Sequence, residues 1–187
     1  MGRTKLYDPQ DAIAAIKNQF WAKGFEGTSL QDLEAATSLP KQTLYREFGD
    51  KHQMYLKALG DYERTEILDA ATTLSSISGA KKAFEALFEK IIDAVDISND
   101  RRGCFLCNAS ADRTSIDHEI GAQVSAMLER WRKTFQTALG AAQQSRELSD
   151  ILLAGYIGLR VLARSGLNVV QLRGIAAQML TLIPANS

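Results

Sequence analysis

The sequence has few cysteines, few prolines and no long apolar run. Its 187 residues include two cysteines, too few for a small secreted domain built on disulfides. Three prolines and 13 glycines exclude collagen-like and low-complexity chains. No stretch of about 18 apolar residues occurs, so no membrane-spanning helix is predicted. The first residues contain no signal-peptide core, and we therefore expect a soluble, cytoplasmic protein.

An excess charge of either sign is also missing. Lysine and arginine total 22, aspartate and glutamate total 22, and the formal net charge is zero. No overall field can therefore drive nonspecific binding to nucleic acid or to a membrane, although a local basic face remains possible. Hydrophobic residues make up 45% and charged residues 24% of the chain, which is typical of a globular protein.

Apolar residues recur at helical spacing along the whole chain, which predicts an all-α fold of about nine helices. Asp8 and Pro9 mark the start of the first helix, and Asp50 caps a long fourth one. Three short helices within residues 1–50 suggest a small N-terminal module, fused to a larger helical body over residues 51–187. The helices predicted in the body after the fourth are Ala80–Ile97, a short one from near Cys104, Ile116–Gln144, Glu147–Arg164 and Val169–Leu182.

Residues 28–51 carry the functional signal. Two short helices joined by a turn at residues 38–40 match the spacing of a helix-turn-helix motif, whose second helix enters the DNA major groove. Glutamine can pair with adenine and lysine or arginine with guanine, while threonine and tyrosine hydroxyls suit phosphates. The residues expected on the outer face of the second helix of the motif are Lys41, Gln42, Thr43, Tyr45 and Arg46. The same pattern also occurs on ordinary solvated helices.

Helix starts in this segment are candidate phosphate sites, because free backbone N–H groups attract anions there. Thr28 and Gln31 have the spacing of a capping box, and Ser29 and Asp32 give a competing frame one residue later. Lys51 lies at the start of the fourth helix, where its charge opposes the helix dipole unless a phosphate is bound. We therefore expect Thr28, Ser29 and Lys51 to contact the DNA backbone.

The stretch GFEGTSLQDLEAATSLPKQTLYREFGDKHQMYLKAL resembles the N-terminal domain of TetR-family transcriptional regulators, over about residues 5–60. Three positions depart from the family pattern. Ser38 replaces a glycine in the turn, Pro40 replaces a capping serine, and Glu34 replaces a small alanine. The departures affect the expected helix geometry and leave the class unchanged.

The resemblance implies a homodimeric, ligand-responsive repressor that binds a near-palindromic double-stranded DNA operator and is not an enzyme. The last two helices are the expected dimer interface, because Glu147–Arg164 is apolar on most sides and contains small residues such as Gly155 and Gly158. Each apolar residue of the body could equally be an ordinary residue of the hydrophobic core. The residues that could line an effector pocket are Phe84, Phe88, Phe105, Met127, Trp131, Phe135 and Tyr156.

Cys104 and Cys107 are a candidate thiol sensor. A thiol that follows two arginines near a helix start has a lowered pKa. The Gly-Cys segment also resembles that of an electrophile-responsive, NemR-like subgroup of the family, which would place the sensor on Cys104. Both cysteines could equally be small buried hydrophobic residues.

Other classes fit less well. A zinc site needs about four ligands, and only two distant histidines could join the cysteines, so no metal or cofactor is expected. One alternative is a helical small-molecule binding protein with a vestigial DNA-binding module. Another is an interaction protein without a pocket.

Overall fold

The computed structural model describes residues 7–113, 115–140 and 144–184, and all regular structure in these ranges is α-helical. The all-α prediction is therefore confirmed. The helices are α1 (Pro9–Lys23), α2 (Leu30–Thr37), α3 (Lys41–Phe48), α4 (Lys51–Ser76), α5 (Ala80–Asp96), α6 (Phe105–Arg113), α7 (His118–Leu139), α8 (Gln144–Arg164) and α9 (Val169–Leu180). No helix of the described ranges is both long and apolar enough to cross a membrane.

Helix α1 begins as its capping residues predict. The Asp8 carboxylate accepts a hydrogen bond from the Gln10 amide at 2.7 Å. Phe20 and Trp21 are buried on the inner face, and Gly24 ends the helix with a φ of 74°, which a residue with a side chain rarely adopts. The chain can therefore reverse directly into α2.

Helix α4 joins the N-terminal module to the body. Tyr55 contacts Phe20 of α1 edge-on with ring centroids 5.0 Å apart, and Tyr62 contacts Trp21 in the same way at 5.0 Å. Asp61, which is buried, forms an ion pair with Lys17 of α1 at 2.8 Å. Aromatic and ionic contacts both cross this junction and hold α1 against α4.

Helices α5, α7 and α8 enclose the main core of the body. The rings of Phe84 and Phe135 lie edge to face at 5.0 Å, and Trp131 lies 5.0 Å from Tyr156. The predicted seventh helix was too long, because Gly140 ends α7 with a φ of 86°. Helix α8 begins at Gln144, three residues earlier than predicted, and residues 141–143 lie outside the described residues.

Candidate DNA-binding interface

Helix α3 presents a polar surface and is anchored by two apolar residues. Leu44 is fully buried and Phe48 is nearly so. Their burial fixes which side of the helix faces outward. Of the five residues predicted on the outer face, Lys41, Gln42, Tyr45 and Arg46 are exposed and Thr43 is half-buried.

The outward residues of α3 combine positive charge, an amide and an aromatic ring. The Lys41 ammonium lies 5.6 Å from the centre of the Tyr45 ring. Arg46 is mostly exposed and its Nε donates to Glu47 at 3.0 Å. These groups can donate to base edges and to phosphates, which is the chemistry that major-groove recognition requires.

The turn before α3 takes the conformation that its departures from the family pattern predict. Ser38 is left-handed, with a φ of 56°, and this backbone is costly for a residue other than glycine. Pro40 occupies the N-cap position of α3 and makes no side-chain capping bond. Glu34, which sequence reasoning noted only as a departure, reaches across the turn and accepts a hydrogen bond from the Lys41 amide at 2.6 Å.

The start of α2 corrects one prediction. Ser29 is the N-cap and forms the capping box with Asp32, so the later of the two frames is the right one. Thr28 is fully buried and its hydroxyl donates to the Gly24 carbonyl at 2.7 Å. Its side chain closes the α1–α2 turn and is not exposed at the surface. Ser29 is exposed, as a phosphate contact requires.

Lys51 lies at the first position of α4, as predicted. Its ammonium is 4.5 Å from the centre of the Phe25 ring, and the Arg113 guanidinium of α6 lies 4.3 Å from the same ring. Arg113 also forms an ion pair with Glu26 at 2.7 Å. Helix α6 of the body is therefore in direct contact with the turn that supports Lys51.

The predicted pocket residues fill the core. Phe84, Phe88, Phe105, Met127, Trp131, Phe135 and Tyr156 are all buried. None of them lines the three main clefts of the described residues, and most of their rings pack against one another. A cleft of about 260 Å³ lies instead beside the junction of α1 and the body. Its walls include Trp21, Ile91, Val95, Arg102, Arg160 and Ala163.

Cys104 immediately precedes α6 and is buried, and Cys107 is half-buried. The Tyr62 hydroxyl lies 3.5 Å from the Cys104 sulfur. A hydrogen bond from Cys107 lowers the pKa of the Cys104 thiol, and the nearby Arg160 guanidinium lowers it further, against the opposing effect of burial. The same hydrogen bond raises the pKa of Cys107. Cys104 is therefore the thiol that ionises first.

Helix α8 carries an uncovered apolar stripe. Ile151, Ala154 and Val161 are exposed, Gly158 is half-buried, and their spacing places them on one side of the helix. On α9, Val170 is 79% exposed. These exposed side chains give the surface of α8 and α9 an apolar character.

A helix-turn-helix module with an exposed polar second helix, mounted on a helical body, defines the class of DNA-binding transcriptional regulators. Comparisons with known proteins agree. Residues 12–58 match the family model described as bacterial regulatory proteins, tetR family, and residues 80–152 match the one described as tetracyclin repressor-like, C-terminal domain. The chain belongs to the TetR family and is a DNA-binding transcriptional regulator.

The sequence identity to individual relatives is low. The chain is 26% identical to the HTH-type transcriptional repressor ComR of Escherichia coli over 98% of this chain and 92% of that one. It is 25% identical to an HTH-type regulator of Bacillus subtilis, YezE, over 80% and 77%. The fold is shared with the TetR family transcriptional regulator CifR, solved as a cysteine mutant with 26-bp double-strand operator DNA. The TM-score is 0.86 at 21% identity, over 98% of this chain and 100% of CifR.

Proposed function

We propose that the protein is a ligand-responsive repressor that binds a near-palindromic operator as a homodimer. The observation that carries this proposal is the exposed polar face of α3, held outward by buried Leu44 and Phe48. Two kinds of relative support it: ComR is named a repressor, and CifR has been solved with operator DNA.

In this proposal the residues of α3 divide into two roles. Lys41, Gln42 and Arg46 donate to base edges in the major groove, where lysine or arginine selects guanine and glutamine selects adenine. The hydroxyls of Tyr45 and Thr43 contact phosphates at the edges of the groove.

Two sites outside α3 hold the DNA backbone. Ser29 at the start of α2 and Lys51 at the start of α4 each offer a helix N-terminus to a phosphate. The ammonium of Lys51 has no carboxylate partner among the described ion pairs, so its charge is available to a phosphate. Thr28 is not included, since its hydroxyl is already bonded inside the fold.

The dimer forms through α8 and α9. Its support is the exposed stripe that contains Ile151 and Val161, together with two unusual glycines. A Cβ added at Gly158 of α8 or at Gly174 of α9 would meet no atom within 4 Å in the protomer. Glycine inside a helix costs about 0.5–1 kcal/mol relative to alanine, and nothing within the protomer requires it at these positions. Close approach of a partner helix accounts for both.

The effector binds in the cleft that Trp21 shares with the body. Trp21 belongs to α1, so a molecule in this cleft touches the DNA-binding module and the body at once. Arg102 stacks on Trp21 at 4.0 Å and bonds to Asn18 of α1 at 2.9 Å, and both contacts must change if a ligand parts the two walls. Such a ligand weakens DNA binding only if it prefers the conformation in which the two α3 helices are wrongly spaced.

The thiol pair supports a second means of release. The lowered pKa of Cys104 and its position at the start of α6 favour its reaction with an electrophile or oxidant small enough to reach this buried thiol. Helix α6 ends at Arg113, against the Phe25 ring that supports Lys51. If Cys104 is the sensor, oxidant releases the parent from DNA and leaves the Cys104→Ser protein bound. Equal release of both excludes it.

Selection of binding sites from random duplex DNA at two salt concentrations tests the proposed function. We expect a near-palindromic consensus that is lost in Lys41→Ala and Tyr45→Ala proteins. Lys133→Ala is a matched control, because it removes an exposed lysine on α7, outside the DNA-binding module. Recovery of no consensus, with binding abolished at moderate salt, would favour the alternative of a vestigial module.

A further inference from the structure

The recognition helix α3 lacks the usual means of capping its first turn. The first four N–H groups of a helix have no partner within the helix and need one elsewhere. The Pro40 carbonyl accepts from the Thr43 amide at 2.8 Å and from the Leu44 amide at 3.1 Å. The side chain of Pro40 can accept nothing, so the Lys41 amide depends on another residue.

Glu34 of α2 supplies that acceptor. One of its carboxylate oxygens accepts from the Lys41 amide at 2.6 Å, seven positions along the chain. A hydrogen bond to a charged acceptor is shorter and stronger than a neutral one. A carboxylate at a helix N-terminus also interacts favourably with the helix dipole.

The same bond ties α2 to α3 across a turn that is weakly held. The left-handed Ser38 strains this turn, and the Leu39 amide donates to the Thr37 hydroxyl at 3.2 Å. The Glu34 bond joins α2 directly to α3, so its loss would make the angle between the two helices depend more on apolar packing.

We propose that Glu34 is a positioning residue, which sets the orientation of α3 for base recognition. The inference rests on the proposed role of α3 in reading DNA. It assigns specificity to a side chain that need not touch a base.

The test compares Glu34→Ala with Glu34→Gln, because the amide oxygen of glutamine keeps an acceptor while both changes remove the charge. Affinity is measured for the consensus duplex selected by the parent protein and for a scrambled duplex of equal length. We expect Glu34→Gln to keep the parent's discrimination between the duplexes within about threefold, since loss of a surface charge strengthens binding to both duplexes alike. Glu34→Ala should lose about tenfold of that discrimination, as a lost charge-assisted cap implies.

A second variant separates positioning from a general loss of stability. A serine at the N-cap accepts from the second or third amide of the helix, so Pro40→Ser placed in the Glu34→Ala protein caps α3 without restoring its bond to α2. We expect this double variant to regain melting temperature while its discrimination stays low. The inference is overturned if Glu34→Ala discriminates as the parent does, if Glu34→Gln loses as much as Glu34→Ala, or if Pro40→Ser restores discrimination together with stability.

Hydrogen exchange of the Lys41 amide tests the cap in the free protein, without DNA. We expect protection in the parent and in Glu34→Gln, and exchange at least about tenfold faster in Glu34→Ala. If the parent protects this amide but does not discriminate between the duplexes, the proposed function fails while the cap stands. Rapid exchange in the parent overturns the inference itself.

Discussion

Gly158 offers a sharp test of the dimer, because alanine there should have opposite effects on the protomer and on the assembly. It lies within α8, and a Cβ added to it meets nothing within 4 Å in the protomer. Replacing it with alanine should therefore stabilise the folded protomer by about 0.5–1 kcal/mol, the usual cost of glycine in a helix.

In the dimer the added methyl groups would lie between the two α8 helices. Overpacking of a close contact costs about 1–3 kcal/mol for each added group, and a two-fold interface contains two of them. The gain in helix propensity is present in both free and assembled protomers and therefore cancels. The dimer should weaken by at least about 2 kcal/mol, which raises its dissociation constant about thirtyfold or more.

Sedimentation velocity over a dilution series measures this constant, and thermal unfolding at a concentration where the dimer is dissociated measures the protomer. Gly60→Ala is the matched control, since Gly60 lies within α4 and an added Cβ there meets only Gln123 Nε2 at 3.6 Å, an ordinary contact. An unchanged dissociation constant in Gly158→Ala, as in the control, would show that α8 does not pack closely on a partner at this position.

Three further predictions concern the DNA-binding module and its junction with α4. Asp61→Asn should destabilise the fold by about 3 kcal/mol, because it leaves the half-buried Lys17 ammonium without its carboxylate partner. Burial raises the pKa of Asp61, but hydrogen bonds from Lys17 and Arg64 outweigh it and lower the pKa. The stabilisation that the Asp61 carboxylate gives is therefore complete above the pKa that Asp61 has in the unfolded chain. It is lost as the pH falls through the lower pKa that Asp61 has in the folded protein. Chemical denaturation at pH 7 and at pH 3 should show the difference between parent and variant shrinking at low pH. Ser29→Ala should cost about 1 kcal/mol in the same assay, as the loss of an N-cap does, and no change would contradict the capping box. Tyr45→Ala should weaken operator binding about tenfold or more, which fluorescence anisotropy measures. It should leave the melting temperature unchanged, because Tyr45 is 40% exposed, and calorimetry checks this.

Local signals predicted the helix starts well. Asp8 and Asp50 cap α1 and α4 as expected, because a short acidic side chain before an apolar helical pattern has few other roles. At α2 two overlapping frames were open, and spacing alone could not choose between them. The structure favours Ser29 because Thr28 is needed inside the turn, where its hydroxyl satisfies the Gly24 carbonyl.

Features that depend on tertiary contacts were harder to predict from the sequence. The aromatic residues of the body could line a cavity or fill one, and both require the same pattern of apolar positions. Phe84 and Phe135 fill the core, while the cleft is lined by Trp21 and by arginines that no periodicity singles out. Glu34 looked unfavourable as a departure from a small residue, because its partner, a backbone amide, leaves no trace in a sequence.

The central claim is that two copies of α3 read two half-sites at once. Mass photometry and anisotropy with the selected duplex, and with one in which a single half-site is scrambled, test it directly. We predict two chains on the intact duplex and a loss of affinity of at least about a hundredfold when one half-site is scrambled, since linked sites bind with a high effective concentration. One chain per duplex, with equal affinity for both duplexes, would contradict the account.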